Sequence, residues 1–473
     1  MKLTNPYQAV ADLSHPAKVC AWVAPELVQW NESLSQELGL KLNEAQKVAL
    51  ASGQGDFPSA ALAYAGHQFG QFVPLLGDGR AHLLGAWQDA NLRCWDIQLK
   101  GSGVTPFSRR GDGWCALGAA IREYVMSEAL HGLGVATTRT LAVVKTGETI
   151  MRQSGPTDGA LVTRVAASHI RIGSFQYLAA RQEIVSLRAL MELAITQHYP
   201  MIVAQGDERV LSFFQHVISA QIRLIVDWMR IGFIHGVMNT DNTLVSGDTI
   251  DYGPCAMMNQ FDFQRVFSSI DSQGRYAYGQ QPQIIQWNLA RLAECLLVLM
   301  SAPQELARTQ LVAVLDSFSE EFNQQFTQMW MNKLGLLASD GDQQVLIQSL
   351  LEHMRAHRLD YTNTFDALTL RLSGHGGVVH ASLETWFKQW QLIVEDKFAD
   401  KRVALMHQAN PRVIPRNHFI ETIIEQFEQT GQSALFSQLM QAMQTPYQLA
   451  DADVALQDEP HFPDESYQTF CGT

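Results

Sequence analysis

Apolar residues recur every three to four positions through residues 181–198, 209–231, 283–300, 303–333, 342–357 and 383–396, the period of helices with one buried face. Earlier in the chain the period changes. Cys94-Trp95-Asp96-Ile97-Gln98-Leu99-Lys100 alternates polar and apolar, residues 83–100 favour strands, and residues 140–144 and 160–165 read as two more strands joined through a turn at Gly155-Pro156. Strands first and helices second define an α+β chain. The opening 66 residues look mostly helical, with Val23, Leu27, Trp30 and Leu34 spaced along one apolar face.

At 473 residues and 47% hydrophobic, the chain can bury one large core or two to three smaller ones. It has no run of about 18 apolar residues and no basic-then-apolar leader, so a soluble, unexported, cytoplasmic protein without a membrane partner is expected. A net charge of -13 argues against nucleic acid as a partner, because phosphate-backbone binding needs clustered Lys and Arg. A monomer is expected. Cys20, Cys94, Cys115, Cys255, Cys295 and Cys471 form no C-x-x-C pair, which excludes a zinc ribbon and suits a reducing compartment. Cys471 stands three residues from the end, where a thiol is reachable and redox chemistry is open to it.

Chemistry concentrates in His235-Gly236-Val237-Met238-Asn239-Thr240-Asp241-Asn242, followed nine residues after Asn242 by Asp251-Tyr252-Gly253. The protein-kinase pattern H-R-D-x-x-x-x-N, then D-F-G, fits at both metal-ligand positions, Asn242 and Asp251. It fails at Val237, where a kinase keeps the Asp that takes the substrate's proton; an aliphatic side chain cannot do that. The local pattern predicts a helix ended by Gly232, a short strand at residues 243–245, a turn at 246–248, and Asn242 and Asp251 on the two arms of a hairpin. Asn and Asp also build ordinary turns, so the segment alone is equally compatible with a plain surface hairpin.

Upstream, Gly77-Asp78-Gly79 reads as a glycine hairpin loop between extended runs, able to approach a phosphate closely, with Arg80 adding charge. Lys100 ends its strand before Gly101-Ser102-Gly103, and a polar loop, residues 108–113, precedes a helix with Leu117, Ile121, Tyr124, Val125 and Ala129 on its apolar face. Glu123 on that helix lies 23 residues after Lys100, as in the kinase pairing of a strand lysine with a helix glutamate. Taken with the downstream loop, this predicts a protein-kinase-like two-lobed fold: a small strand-rich N-lobe over residues 1–170, with a helical N-terminal extension, and a large helical C-lobe over 171–473 with a C-terminal addition. No G-x-x-x-x-G-K-[ST] sequence is present, so a P-loop enzyme is not expected.

Gly77-Asp78-Gly79-Arg80, Gln98-Leu99-Lys100-Gly101-Ser102-Gly103-x-Thr105-Pro106-x-Ser108-Arg109, Ser127-Glu128-Ala129-Leu130, the segment from His235 to Asn242, and Asp251-Tyr252-Gly253-Pro254 together closely resemble the selenoprotein O family, called YdiU in bacteria. That resemblance runs from about residue 60 to the Asn410-Pro411 and Arg416-Asn417 region. It implies a kinase-like protein adenylyltransferase that binds ATP flipped relative to a kinase and passes AMP, or alternatively UMP, to Ser, Thr or Tyr hydroxyls of protein substrates. It further implies that Lys100 contacts the phosphates and is oriented by Glu123, that Arg164 and Arg171 hold the relocated γ-phosphate end, and that Gly77, Gly79, Arg80, Asp112 and Gly113 contact the nucleotide. Asn242 and Asp251 match the ligands of Mg²⁺ or Mn²⁺, and Asp241 matches the base. The chemistry independently favours these types: guanidinium forks for polyphosphate, hard oxygen ligands for the cation and a carboxylate near the nucleophile. Cys471 stands where some relatives carry selenocysteine; residues 265–269 lack the cysteine that some relatives pair with it, and Cys255 lies nearer Asp251-Tyr252-Gly253. An atypical kinase and a non-catalytic nucleotide-binding scaffold are the competing classes.

Overall fold

A computed structural model describes residues 2–152, 155–341 and 343–470, so Cys471 lies outside the described residues. The strands are β1 (Ser14–Pro16), β2 (Glu26–Trp30), β3 (Ala60–Leu62), β4 (Gly66–Gln68), β5 (Gln71–Val73), β6 (Ala81–Gln88), β7 (Cys94–Lys100), β8 (Cys115–Ala116), β9 (Arg139–Arg152), β10 (Gly155–Ala166), β11 (Phe233–Ile234) and β12 (Ala256–Met257). Helices α1 (Glu32–Glu37), α2 (Glu44–Ser52) and α3 (Leu117–Gly132) lie among them. Then come α4 (Ile172–Ala180), α5 (Ile184–His198), α6 (Gly206–Ile231), α7 (Gln281–Leu297) and α8 (Gln304–Lys333), and further helices continue to Ala442. The protein is therefore α+β, with a strand-rich N-terminal sheet and a large helical part.

The main sheet runs β1-β3-β6-β7-β10-β9-β2, with β8 joined to β10. Strand alternation sends successive side chains to opposite faces. Ile97 and Leu99 of β7, Leu141 and Val144 of β9, and Leu161 and Val165 of β10 pack in one cluster with Trp22, Trp30, Leu34, Leu38 and Leu50 from the N-terminal segment. Each such Leu or Ile, fully buried, contributes about 1.5–3 kcal/mol. On β7 and β10, Gln98 pairs with Arg164 and Lys100 with Val162, so the residues between the apolar ones share the other face, where α3 lies. A one-residue slip would drive Lys100 into the apolar layer, which fixes the register.

Three expectations are corrected here. The opening segment is not mostly helical: residues 26–30 form β2 along the edge of β9, Val23 is 79% exposed, and apart from one 3-10 turn at Pro6–Ala9 helix begins only after Asn31, whose side chain accepts from the Leu34 N–H. Sheet pairing outweighs a three-to-four spacing that a strand carries by coincidence. Gly155 and Pro156 open β10 rather than forming the turn. Gly77-Asp78-Gly79 is not a hairpin loop, because β5 pairs with β4 in a separate small sheet and β6 pairs with β3 and β7. The connection between them instead folds back on the chain before it: the Asp78 N–H donates to Leu62 O, and Asp78 Oδ2 accepts from the Leu62 N–H.

Of the predicted helices, α6 stops as expected at Gly232, whose φ of +77° suits a left-handed cap that glycine tolerates. The helix expected over 342–357 spans Gln344–Ala356. Among the described residues, no helix is long and apolar enough to cross a membrane.

Candidate active site

The loop from His235 to Cys255 is closed at its base by β11 pairing with β12. The predicted strand at 243–245 is absent; only a single bridge joins Leu244 to Arg171, so Asn242 and Asp251 lie within one loop and not on two hairpin arms. Long-range bonds replace the ladder. The Ile172 N–H donates to Thr243 O, the Val245 N–H to Ile170 O and the Thr138 N–H to Thr249 O. His235, fully buried, hydrogen-bonds through Nε2 to Ile250 O (2.8 Å), tying the start of the loop to the residue before Asp251. Asn242 Nδ2 donates to Asp251 Oδ2 at 3.2 Å, so these side chains do meet. Asp251 has a φ of +69°, a left-handed conformation that Asp tolerates better than most residues and that often marks a functional position.

These residues line a cavity of about 320 Å³ that also takes in Asp78, Gly79, Arg80, Lys100, Glu123, Arg164, Arg171, Val237 and Asp241. Strand alternation and α3 explain one group. Glu123 accepts from Lys100 Nζ (2.6 Å) through Oε2 and from Arg164 (Nη2 at 2.7 Å) through Oε1, and Arg164 Nη1 donates to Gln98 (3.1 Å). Burial favours the neutral acid, but Arg164 and Lys100 outweigh it and hold the Glu123 carboxyl below its ordinary range. Asp251, its side chain 34% exposed, lies 3.8 Å from Lys100 Nζ. Burial would raise its pKa, but the charges of Lys100, His235, Arg80 and Arg164 bring it down to about 2.

Arg171, in the bend before α4, donates from Nη1 to the Asp241 carbonyl (2.7 Å), stands 3.5 Å from Asp78 and covers the Tyr64 ring at 4.4 Å. Asp241 is 7% exposed, and burial pushes its pKa up to about 6 despite nearby Arg171. Its Oδ2 is 3.5 Å from Gln68 Nε2, while Oδ1 is buried with no hydrogen-bond partner.

The sequence-predicted residues Gly79, Arg80, Lys100, Glu123, Arg164, Arg171, Asp241, Asn242 and Asp251 therefore share one cavity. Gly77, Asp112 and Gly113 do not line it. Gly77 is packed against Phe107, Gly113 against Gly103, and Asp112 pairs with Arg152 at 2.7 Å. Sequence reasoning assigned no role to Tyr64, Gln68, Asp78 and Asn239. Gln68 lies inside the Gly-rich run of residues 65–70 and Asp78 between two noted glycines, but nothing local points to their contacts with Asp241 and Arg171. Cys255 is wholly buried with its thiol pushed up to about 12, which suits an inert core thiol better than a redox partner.

A family model described as "Protein adenylyltransferase SelO" matches residues 12–444. The chain is 53% identical over 479 residues to the "Protein nucleotidyltransferase YdiU" of Pseudoalteromonas translucida (strain TAC 125), covering all of both chains. It is 46% identical to the protein of the same name from Cereibacter sphaeroides (strain ATCC 17029 / ATH 2.4.9), across 95% of each chain. With that of Teredinibacter turnerae (strain ATCC 39867 / T7901) it shares 41% over the full length of both. All three relatives carry the name of a nucleotidyltransferase acting on proteins. This chain belongs to the SelO family of protein adenylyltransferases.

Proposed function

We propose that this protein transfers AMP from ATP to hydroxyl side chains of protein substrates, with release of pyrophosphate, on a kinase-like two-lobed fold whose lobes are residues 1–170 and 171–473. The observation that carries it is the cavity itself. Lys100, Arg164 and Arg171 supply buried cations for a polyphosphate, the Asp251 carboxylate and the Asn242 amide lie side by side, and Val237 occupies the slot of the kinase base. A protein that only bound nucleotide would have no call for Asp241, a carboxylate placed to take a proton.

Asn242 and Asp251 fit a divalent cation, Mg²⁺ or Mn²⁺: Asp251 is held anionic, Asn242 is beside it, and such ions bind through one or two protein oxygens plus substrate phosphates. When bound, the cation neutralises charge on the phosphates. Arg164 and Arg171 hold the β- and γ-phosphates, Lys100 contacts the phosphates while Glu123 fixes its ammonium, and Gly79 and Arg80, the two of the expected nucleotide-contacting residues that line the cavity, contact the nucleotide. The acceptor oxygen attacks the α-phosphorus, the bond to the bridging β-oxygen breaks, pyrophosphate leaves and Asp241 takes the hydroxyl proton. A carboxylate raised to about 6 with one oxygen unpartnered is suited to that transfer near neutral pH.

The deciding test is which phosphate moves. Label from α-labelled ATP should enter protein in the presence of Mg²⁺ or Mn²⁺, with little from γ-labelled ATP. Label from the γ position alone would establish a kinase instead, and label from neither would leave a scaffold.

A second expected result concerns where Asp241 is held. A Cβ at Gly66 would stand 2.3 Å from Asp241 Oδ1, so Gly66→Ala displaces the carboxylate without touching any phosphate-holding cation. Transfer should fall about 10²-fold, as for a misplacement of roughly 1 Å, with ATP affinity preserved. Unchanged transfer would mean that the placement of this carboxylate does not matter.

A further inference from the structure

The β4–β5 hairpin turns through Phe69 and Gly70, with φ of +51° and +83°. Two successive positive φ values make the tight hairpin turn whose first position ordinarily holds Asn, Asp or Gly, and a phenylalanine there is strained. The turn is held by the Phe69 N–H donating to Asn239 Oδ1 (3.1 Å) and by the Phe69 ring against Tyr276 (5.1 Å between centroids). Even so, Phe69 remains 36% exposed, with Phe72 at 42% and Ile270 at 53%. Phe69 and Ile270 line the cavity, and the neighbouring Gln68 reaches Asp241. A strained, exposed aromatic ring is thus maintained beside the carboxylate that receives the acceptor's proton.

Just outside the cavity, the Arg275 guanidinium lies 5.1 Å from the centre of the Trp287 ring and 5.7 Å from that of Tyr276. Among the described residues it forms no ion pair, and its Nε is buried with no hydrogen-bond partner. Trp287 meets His67 at 5.1 Å, and His67 meets Phe72 at 5.0 Å, so this cation is continuous with the exposed face of the hairpin. In a chain of net charge -13, such a cation is a local attraction for an acidic partner that the molecule as a whole repels.

We infer that Phe69, Phe72, Ile270 and Arg275 form the docking surface for the acceptor protein, selecting hydroxyl-bearing segments that place a large apolar side chain and a carboxylate close to the modified hydroxyl. The inference rests on the AMP-transfer reading and extends it to substrate class. The apolar side chain covers the exposed rings, and the carboxylate supplies the partner that Arg275 lacks.

Two pools of short peptides test it, each with a central Ser, Thr or Tyr: one flanked by Phe and Asp, the other by Ala and Lys. With α-labelled ATP the wild-type protein should label the first pool about tenfold more efficiently. Arg275→Glu should abolish or reverse the charge preference at unchanged ATP affinity. Phe69→Asn should relieve the strained turn and raise the melting temperature, yet lose about tenfold in peptide labelling with ATP binding unaltered. Equal labelling of the two pools, or an Arg275→Glu protein that keeps the preference, overturns the inference. So does a Phe69→Asn protein that loses ATP affinity in step with transfer, since the hairpin would then serve the nucleotide. If the wild type labels itself but neither pool, the docking surface is wrong; if nothing is labelled from the α position, the transfer reading itself fails.

Discussion

Asp251→Ala should reduce AMP transfer to below about a thousandth of the wild-type rate, the several kcal/mol expected when charge neutralisation at a phosphoryl group is lost. The carboxylate is held down to about 2, so it is fully ionised in any neutral buffer and offers hard oxygens beside Asn242. Among the described residues, no group of three or more His, Cys, Asp or Glu side chains is arranged to hold a metal ion, so nothing of that kind would replace Asp251. Because position 251 is left-handed, alanine adds backbone strain that asparagine does not. Asp251→Asn is therefore the paired variant: it keeps the shape, removes the charge, and should lose nearly as much. Both proteins should require far more Mn²⁺ or Mg²⁺ for residual activity. Asp241→Ala should cost less, on the order of 10²–10⁴ in rate, as for a general base. A fully active Asp251→Asn protein, or equal small losses at 241 and 251, would show that the site is misplaced.

On the proposed reading, the charges around the cavity couple metal binding to nucleotide binding. Arg80, Lys100, Arg164 and Arg171 face Asp78, Glu123, Asp241 and Asp251 around the cavity, so four cations already meet four anions. A triphosphate entering alone would add several negative charges in a space partly removed from water. Its entry is favourable only with a cation that offsets them, and ATP affinity should accordingly depend on the divalent ion far more than AMP affinity does.

How much of this could be read from the sequence follows from the range of the interactions. Lys100 and Glu123 were legible from their kinase-like spacing and Arg164 from the family resemblance; that Lys100 and Arg164 share one sheet face, covered by α3, came only with the strand register. Asn242 and Asp251 were legible from spacing, although the hairpin imagined between them was not: bonds to Ile170, Ile172 and Thr138, far upstream, hold the loop in place of a ladder. Gln68 and Asp241 are 173 residues apart, and Arg171 and Asp78 meet across the cavity, so no local pattern could join them. The same limit explains β2. Its spacing matched a helix, and only the free edge of β9, more than a hundred residues downstream, makes it a strand.

The arginines provide the expected result that most separates this protein from an ordinary kinase. A kinase leaves the γ-phosphate at the substrate side and holds its triphosphate with the strand lysine and metals, whereas two further guanidiniums lining the cavity suit β- and γ-phosphates that point inward. Each charge-assisted hydrogen bond contributes about 1.5–3 kcal/mol, so Arg171→Ala and Arg164→Ala should each weaken ATP binding roughly 10- to 150-fold. AMP has neither phosphate and should lose no more than about threefold. Arg171→Ala is the cleaner measurement, because its protein partners are the Asp241 carbonyl, the Tyr64 ring and an Asp78 carboxylate that keeps Gln98 and the Leu62 N–H. Arg164→Ala also strips Glu123 of one of its two cations, which destabilises a buried carboxylate; its melting temperature should fall while that of Arg171→Ala stays close to wild type. Titration of ATP and AMP into each folded variant decides the matter. Parallel loss of both ligands, or loss of neither, would rule out inward-pointing phosphates.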